Sequence, residues 1–377
     1  MSGPEPSLLA ALGALFALAA GAGFLFSGLA ARLGRRWGLL DYPRRNELQR
    51  DVVPRSGGYG ICAAFVLAVL VSLLLPLPDL TRSPEDAWRL LGVLLGLALL
   101  LPLAYLDDRY RLPPLPQLVG QLAVALVPIA FGLWIDSVAL PAVGVVALPA
   151  WLGVPLTVLW LVGMINTLNL LDVMDGLAGG IAVIAAVTLF LRSLWFGQYT
   201  IAVLPLALAG ACLGFLPRNW HPSRLFMGTS GSMFLGYALG ALAIIGGVKV
   251  GTAVIVLGLP ILDVAWVIVR RLSQGRSPLK GGDGEHLPQR LARLGLAHPV
   301  IVLLLYGFCG LFACLGLALH SPVSTAAKLV VAAAMVVAVL LLLSAVSWLS
   351  RARRLACSLP PARDGYPPCS GGATTNS

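Results

Sequence analysis

Four polar side chains stand three residues apart in the segment NTLNLLDVMDGLAGG, which lies between two strongly apolar runs. They are Asn166, Asn169, Asp172 and Asp175. Nine residues of α-helix turn through about 900°, so the four cannot share one helical face, although neighbours three residues apart can. We therefore predict a helix that ends within this segment and leads into a glycine-rich turn. Polar capping of the helix end is the alternative to a functional site.

A pair of carboxylates, Asp107 and Asp108, follows another apolar run. Adjacent like charges repel unless a cation lies beside them or one carboxyl group binds a proton. A metal ion would meet this need, as would Arg109 and Arg111 in a solvated loop. The pair is a candidate for binding a cation.

The segment GTSGS, residues 228–232, precedes an apolar run and has the composition of a phosphate-binding nest, a helix N-cap or an ordinary loop. The first polar loop contributes Asp41, Arg55 and the glycine pair Gly57 and Gly58. Its arginine and flexible backbone suit a diphosphate or a lipid phosphate.

Asp263 lies inside an apolar run, where a carboxylate is costly and usually functional. Pairing with Arg270 or Arg271, one to two turns further on, is the alternative. His286 and Arg290 belong to a basic, glycine-rich loop that suits phosphate contact, although a lone loop histidine is often merely solvated.

These residue types favour one chemistry. Carboxylates with few histidines suit a hard cation, Mg²⁺ with Mn²⁺ as the alternative, which prefers oxygen ligands and bridges phosphates. Together with arginine-rich loops and an apolar body, they predict metal-assisted phosphoryl transfer at a membrane surface. An ion-coupled transporter is the rival class, but it would hold its ionisable residues near the bilayer midplane.

The elements that must position these residues are membrane spans. The chain has 377 residues, of which 58% are hydrophobic and 11% charged, with a mean hydropathy of +0.90. We predict an all-α, polytopic membrane protein with about 10–11 spans of about 20 residues each. The eleven apolar runs lie near 7–30, 57–77, 88–106, 116–134, 147–165, 176–192, 198–216, 231–247, 251–269, 298–319 and 327–349.

Residues 1–350 are expected to form a single transmembrane domain, with the first apolar run retained rather than cleaved. Residues 351–377, rich in Pro, Gly, Ser and Thr, are expected to be a disordered tail. The six cysteines are scattered and form neither a disulfide nor a zinc pattern.

Basic residues predict the orientation. Alternate polar loops and the tail hold 21 of the 26 Lys and Arg residues. Because Lys and Arg favour cytoplasmic loops, the N-terminus is expected outside and the C-terminus and all the polar candidates inside. The positive charge indicates affinity for anionic lipid headgroups or phosphates. Nucleic acid is not an expected partner, since no soluble module presents a groove-reading element.

The chain resembles the polyprenyl-phosphate N-acetylhexosamine-1-phosphate transferases. The resemblance covers nearly the whole chain to about residue 350 and rests on five motifs in order: VPRSGG, LDDRYRLPPLPQLVGQ, NTLNLLDVMDGLAGG, FMGTSGSMFLGY and PILDVAWVIVRRLSQGRSP with HLPQRLARLG. It implies a bacterial plasma-membrane enzyme whose cytosolic site uses Mg²⁺ to transfer a sugar-1-phosphate from a UDP-sugar to polyprenyl phosphate, releasing UMP. The motifs look more like the GlcNAc-type branch than the phospho-MurNAc-pentapeptide translocase. The implied partners are the UDP-sugar, polyprenyl phosphate, membrane lipid and a second copy of the chain.

The resemblance also implies roles for individual residues. Asp107 and Asp108 match the family's paired aspartates, which act on the diphosphate, the metal and the lipid phosphate. Catalysis is thus expected from Asp107, Asp108 and Asp172, and metal binding from Asp108, Asp172 and Asp175. The resemblance and the residue types together predict nucleotide or sugar contacts from Asn166, Asn169, Asp175, Asp263, His286 and Arg290.

The chain departs from the family pattern at three places. Val173 stands where the family usually has Gly, and Pro288 and Gln289 stand where it has further histidines. Thr229 replaces an aspartate expected to bind the metal. A hydroxyl is a weaker Mg²⁺ ligand than a carboxylate, so Thr229 is expected either to act from the outer coordination shell or to leave the enzyme impaired. Its presence favours direct attack by the lipid phosphate over a carboxylate nucleophile at position 229.

Overall fold

A computed structural model describes residues 5–42, 52–75, 78–140, 144–245, 247, 250–277, 285–318 and 325–358. Over these residues the chain forms thirteen α-helices and two small hairpins. The helices are α1 (Pro6–Arg36), α2 (Gly57–Leu73), α3 (Pro84–Tyr110), α4 (Pro114–Ala130), α5 (Ala150–Leu171), α6 (Leu177–Trp195), α7 (Tyr199–Asn219), α8 (Gly228–Ile244), α9 (Val250–Val256), α10 (Gly258–Ser273), α11 (Leu287–Arg293), α12 (His298–Ala318) and α13 (Thr325–Ser358).

Each of the eleven predicted apolar runs corresponds to helix, which confirms an all-α, multi-pass membrane protein. Seven described helices are long and apolar enough to cross a membrane: α1, α3, α5, α6, α7, α12 and the 330–349 part of α13. Helices α9 and α10 pass the same test together but are bent by 75°, so the run predicted at 251–269 is a broken helix. The other three, α2, α4 and α8, have 17 residues each, at the lower limit of about 17–25 for a span.

Helix α8 forms the centre of the bundle, and all of its residues are buried. A helix that is apolar all round must be enclosed by other helices. Small residues allow the close approach that this requires. A side chain at Gly236 would collide with the backbone of Met164 and Ile165 in α5, and one at Gly58 of α2 would collide with the backbone at Gly231.

Helices α1 and α7 make a similar close contact. A side chain at Gly23 would meet the backbone of Ala211, and one at Gly214 would meet the backbone of Ala20. Because lipid tails are as apolar as the side chains, such small-residue packing is a main source of helix association in membranes. The contact holds α1 against α7 around Ala20 and Gly23 and thereby positions the arginine-rich C-terminal end of α1.

Strands replace helix at two places. Strands β1 (Leu40–Asp41) and β2 (Val53–Pro54) form one antiparallel hairpin, and β3 (Ser137–Leu140) and β4 (Gly144–Ala147) form another. The second hairpin ends at Ala147, where the apolar run predicted near 147–165 begins. Helix α5 therefore begins only at Ala150 and continues to Leu171.

The boundary predicted for the disordered tail requires correction. Helix α13 continues to Ser358 and thus includes the first eight residues assigned to the tail. Its extension, RARRLACS, contains Arg, Ala and Leu, which are strong helix formers. The rest of the predicted tail, 359–377, lies outside the described residues.

Candidate active site

The carboxylate of Asp108, at the end of α3, caps the N-terminus of α8. Its Oδ1 accepts a hydrogen bond from the N–H of Thr229 at 2.8 Å, and its Oδ2 accepts one from the N–H of Ser230 at 3.0 Å. The first N–H groups of a helix lack intrahelical partners and carry partial positive charge, so a carboxylate stabilises them. GTSGS therefore forms the first turn of α8, and its N–H donors at Thr229 and Ser230 are occupied by Asp108.

Arg55 joins the first polar loop to this cap. Its guanidinium lies 3.9 Å from Oδ1 of Asp108 and 3.6 Å from Oδ1 of Asp41. Arg111, just beyond α3, lies 4.0 Å from the same Asp41 oxygen. The Arg55 side chain is 29% exposed, whereas the Asp108 side chain is fully covered. Arg55 is thus the accessible cation at the edge of a buried carboxylate.

Asp172 follows the last residue of α5 and has an unsatisfied carboxylate. Among the described residues, none donates a hydrogen bond to it. Burial raises its pKa to about 7; Arg55 opposes the rise, while Asp108 and Asp175 add to it. These interactions place the three aspartates and Arg55 in one electrostatic neighbourhood, which we call the Asp172 cluster.

The charge balance of the Asp172 cluster and its immediate neighbours suits a divalent cation. Four carboxylates, those of Asp172, Asp108, Asp175 and Asp41, face two guanidinium groups, those of Arg55 and Arg111. The excess of acidic oxygen atoms and the unpartnered Asp172 carboxylate fit Mg²⁺, which prefers oxygen ligands and is usually bound through one or two carboxylates. Asp172 is the first candidate ligand, with Asp175 and Asp108 beside it.

Asp175 belongs to the same cluster, but its hydrogen-bond partners lie in the loop between α7 and α8. Its Oδ2 lies 2.9 Å from Nδ1 of His221 and accepts a hydrogen bond from the N–H of Ser223 at 3.1 Å. The His221 ring stacks on His298, with ring centroids 4.3 Å apart. One donor atom from each of Asp175, His221 and His298 lies within 4.8 Å of the others, so this trio also has the ligand types of a metal site.

The two asparagines of the opening segment have different surroundings. Oδ1 of Asn169 lies 3.5 Å from the hydroxyl of Ser232 near the N-terminus of α8, beside the Asp172 cluster. Asn166 lies one turn earlier and donates hydrogen bonds to Oε1 of Gln121 at 2.6 Å and to the carbonyl of Val162 at 2.8 Å. Its amide therefore ties α5 to α4, and the prediction of nucleotide contact fits Asn169 better.

Asp263 organises a second polar group, which we call the Asp263 network. Its carboxylate contacts Nδ1 of His286 at 3.0 Å and accepts hydrogen bonds from the N–H of Leu287 at 3.0 Å and from Nη2 of Arg290 at 2.7 Å. Arg290 also contacts the hydroxyl of Ser347 in α13 and is only 1% exposed. Asp263 thus pairs with Arg290, while Arg270, the partner considered from the sequence, pairs with Glu285 at 2.8 Å.

This network restricts the roles predicted for its members. The guanidinium of Arg290 is committed to protein atoms, so its predicted contact with the sugar-nucleotide does not fit this arrangement. His286 is oriented through Nδ1, and the described residues leave its Nε2 without a hydrogen-bond partner. A small, mostly apolar gap is lined by Asp263 of the network and by Leu171, the residue before Asp172.

Three predicted site residues have structural roles here. The N–H groups of Gly57 and Gly58 donate to the carbonyls of Phe226 and Met227, so they are not available to phosphate. Their lack of side chains lets α2 approach α8. Oδ1 of Asp107 accepts the N–H of Leu112 and closes the turn after α3, so the adjacent carboxylates hold different partners.

The sequence reasoning missed two features of the site. His298 had no visible signal, because it starts an apolar run far along the chain from Asp175. Asn219 stands in the sequence only as a polar residue after an apolar run; its Oδ1 accepts the N–H of Gly176 at 3.0 Å, and its Nδ2 donates to the carbonyl of Leu225. Gly176 has φ of 78°, which a residue with a side chain rarely adopts. Together they fix the turn that carries Asp175.

Comparison with known proteins agrees with this architecture. The sequence model of glycosyl transferase family 4 matches residues 90–247. The probable undecaprenyl-phosphate N-acetylglucosaminyl 1-phosphate transferase of Bacillus subtilis is 32% identical over 303 residues, covering 79% of this chain and 82% of that protein. The decaprenyl-phosphate N-acetylglucosaminephosphotransferase of Mycobacterium tuberculosis H37Rv is 32% identical over 317 residues, covering 77% of this chain and 78% of its own length.

A phospho-N-acetylmuramoyl-pentapeptide-transferase of Chlamydia muridarum is 36% identical over a shorter stretch of 214 residues, which is 51% of this chain and 61% of that protein. The chain belongs to glycosyl transferase family 4.

Proposed function

We propose that this protein transfers a sugar-1-phosphate, GlcNAc-1-phosphate in the first instance, from a UDP-sugar to undecaprenyl or another polyprenyl phosphate. The products are a polyprenyl-diphosphate-sugar and UMP. The observation that carries the proposal is the Asp172 cluster, an acidic site with an unpartnered carboxylate at one end of an apolar helical bundle. Similarity over about four-fifths of the chain to a transferase of this specificity supports it.

The reaction is a displacement at phosphorus. An oxygen of the polyprenyl phosphate attacks the β-phosphorus of the UDP-sugar and forms a new P–O bond. The bond from the β-phosphorus to the oxygen that bridges the two phosphates breaks, and UMP leaves with that oxygen. Arg55, accessible at the edge of the cluster, binds and orients the phosphates. Asn169 lies where it can contact the nucleotide.

Asp172, with Asp175 and Asp108, is proposed to hold Mg²⁺ or Mn²⁺. When bound, the ion neutralises phosphate charge and holds the reacting groups together. Asp108 also fixes the start of α8, so its carboxylate connects the cluster to the central helix. Thr229 contributes its N–H to that cap, and the site contains no carboxylate nucleophile at position 229.

The proposed location is the bacterial plasma membrane, with the Asp172 cluster on the cytoplasmic face and the N-terminus outside. The distribution of Lys and Arg supports this orientation. A homodimer is the proposed assembly. On this basis the UDP-sugar arrives from the cytosol and the lipid phosphate from the inner leaflet.

A direct assay tests the function. The purified full chain is mixed with Mg²⁺, undecaprenyl phosphate and each of several UDP-sugars, and UMP release is measured. UMP formation that requires both lipid and UDP-GlcNAc is expected. UMP from UDP-MurNAc-pentapeptide alone would instead assign the pentapeptide reaction. No UMP from any donor would contradict transferase activity and restore the ion-coupled transporter or an inactive homologue as the explanation.

Metal binding and nucleotide binding can be tested without turnover. Titration of Mn²⁺ followed by electron paramagnetic resonance should detect a site that is lost in Asp172→Asn. Tunicamycin, a nucleoside antibiotic that resembles the donor and the lipid together, should raise the melting temperature of the wild-type protein. Absence of both effects would remove the support for a metal-dependent nucleotide site.

A further inference from the structure

A second polar site lies beside the close contact of α1 and α7, and the proposed reaction does not use it. It is a pocket of about 420 Å³. Four arginines line it: Arg32 and Arg35 from α1, Arg218 from α7 and Arg224 from the loop that follows. Phe24, which is exposed, provides an apolar surface in the same pocket. None of the residues of the Asp172 cluster belongs to it.

The arginines of the pocket face no acidic partner within the part of the chain that the structure describes. Among the described residues, no carboxylate forms an ion pair with any of the four. Arg218 is held in place by its own contacts, since its Nη1 donates to the carbonyl of Phe24 at 2.5 Å and its guanidinium lies 3.7 Å from the centre of the Phe24 ring. Arg32, Arg35 and Arg224 are exposed. Four like charges around one pocket repel each other, and a bound anion would relieve this repulsion.

The position of the pocket favours a lipid over a soluble anion. Helix α1 has 31 residues, or about 46 Å at 1.5 Å per residue, which exceeds the roughly 30 Å of hydrocarbon. Its last turns, with Arg32 and Arg35, therefore extend into the headgroup region. Phe24 lies two to three turns deeper and is 45% exposed. A cationic rim above an apolar wall matches a phosphate headgroup joined to acyl chains.

We propose that this α1–α7 pocket binds the headgroup of an anionic membrane phospholipid, with the phosphodiester on the arginines and an acyl chain against Phe24. Basic pockets between transmembrane helices bind anionic headgroups by the same combination of charge and shape. The bound lipid would also contact the loop before α8. In that loop Ser223 donates its N–H to Asp175, so the lipid stabilises a segment that reaches the Asp172 cluster.

Native mass spectrometry of the purified full chain tests the proposal. The detergent-solubilised protein is titrated with dioleoyl phosphatidylglycerol, dioleoyl phosphatidylcholine, inorganic phosphate and undecaprenyl phosphate in separate and competing experiments. The variant is Arg32→Gln/Arg35→Gln/Arg224→Gln. The matched control, Arg36→Gln/Arg109→Gln/Arg276→Gln, removes three arginines near the same end of the bundle that do not line the pocket.

Phosphatidylglycerol should bind the wild-type protein at least about tenfold more tightly than phosphatidylcholine, and the pocket variant should lose that preference. The control variant should keep it. Equal binding of the two lipids, or equal loss in both variants, would overturn the proposal, because the preference would then be absent or due to general surface charge.

The other two ligands separate the source of the phosphate. Inorganic phosphate at the same concentration should not displace the phospholipid; displacement would indicate a soluble-anion site. Undecaprenyl phosphate should also bind elsewhere, so that the pocket variant retains it. Loss of undecaprenyl phosphate together with phosphatidylglycerol in the pocket variant would make this the substrate site and overturn the assignment. UMP release, measured separately, tells such a result from a failure of the proposed transferase function.

Discussion

The Asp172 cluster and the Asp263 network both hold buried carboxylates, yet they differ in how those carboxylates are satisfied. Asp263 contacts a histidine, an arginine and a backbone N–H, and its partner Arg290 is almost completely enclosed. Asp172 has no hydrogen-bond donor among the described residues, and two further aspartates raise its pKa. The Asp263 carboxylate is paired with a cation in the folded protein, whereas the three aspartates of the Asp172 cluster share the single guanidinium of Arg55.

This difference separates structural from chemical roles. A buried ion pair whose hydrogen bonds reach several elements holds those elements together, here α10, α11 and α13. A carboxylate left without a partner costs free energy, and a bound cation supplies what is missing.

Breaking the Asp263 network should have the largest effect on stability. Arg290→Met leaves the buried Asp263 carboxylate without its main cation and should lower the free energy of unfolding by about 3–5 kcal/mol. Chemical unfolding in detergent measures the change. The double variant Asp263→Leu/Arg290→Met should recover much of the loss, because no charge remains buried. A loss of less than about 1 kcal/mol in the single variant would mean that the network is not a structural ion pair.

Asp172→Asn should have the opposite profile. The carboxylate makes no hydrogen bond in the fold and its ionised form is disfavoured by burial, so the free energy of unfolding should not fall and should rise near pH 7. UMP release should fall by about 100-fold or more, because charge at the proposed metal site is lost. Turnover and unfolding are measured on the same preparation. Near-normal turnover would place the metal site at other residues.

Asp108→Asn should affect both properties and so lies between the first two variants. The amide retains one acceptor but presents an NH₂ group to an N–H donor at the start of α8. A cost of about 1–3 kcal/mol in unfolding free energy is expected, together with a loss of UMP release. Unchanged stability would show that the cap on α8 does not depend on the charge of Asp108.

The pH dependence of stability provides a subtler test of Asp172. Its pKa is about 7 in the folded protein and about 3.9 when unfolded, so the folded state binds more protons between these values. The resulting stabilisation is complete below about pH 4 and is lost as the pH rises through about 7. Melting temperatures in the presence of a chelator should therefore fall over this interval. Asp172→Asn should lack that part of the slope, and an identical slope would assign the titration to another group.

Thr229→Asp should have the smallest effect and tests the departure at position 229. Without metal, a carboxylate next to the Asp108 cap adds repulsion, and a cost of about 1 kcal/mol is expected. With Mg²⁺ or Mn²⁺ the added ligand should offset this cost and maintain or raise metal affinity. Thr229→Val is the neutral control. A fall in UMP release with unchanged folding and metal affinity would mean that Thr229 serves a different geometry.

Apolar periodicity and local composition predicted much of this molecule. The long apolar runs fixed the helices, and the helix end with its glycine turn at 166–180 was confirmed, since α5 ends at Leu171 and Gly176 precedes α6. Arg55, Asp108, Asp172 and Asp175 were expected at one end of the bundle, and they do lie together. Such residues can be found because polar groups beside apolar runs are conspicuous.

The hydrogen-bond and ion-pair partners of the polar side chains could not be predicted, because helix packing determines which side chains meet. Asp263 pairs with Arg290 rather than with Arg270. Asn166 forms a hydrogen bond with Gln121, although a nucleotide contact was predicted for it. Both partners lie on other helices, and no local spacing indicates them. Gly57 and Gly58 looked suitable for phosphate, but the close approach of α2 to α8 uses their N–H groups and the space beside them.

The cap on α8 joins two parts of the chain that are synthesised at different times. Its acceptor, Asp108, precedes its donor Thr229 by 121 residues, so it is synthesised well before the central helix. Gly58 of α2 and Asp108 of α3, which contact the start of α8, are therefore already synthesised before α8 leaves the ribosome. Helix α8 has no side-chain cap of its own, and Asp108 accepts the hydrogen bonds of its first N–H groups when the helix packs into the bundle. A shift of α8 along its axis would break both hydrogen bonds to Asp108, so this carboxylate also fixes the register of the central helix.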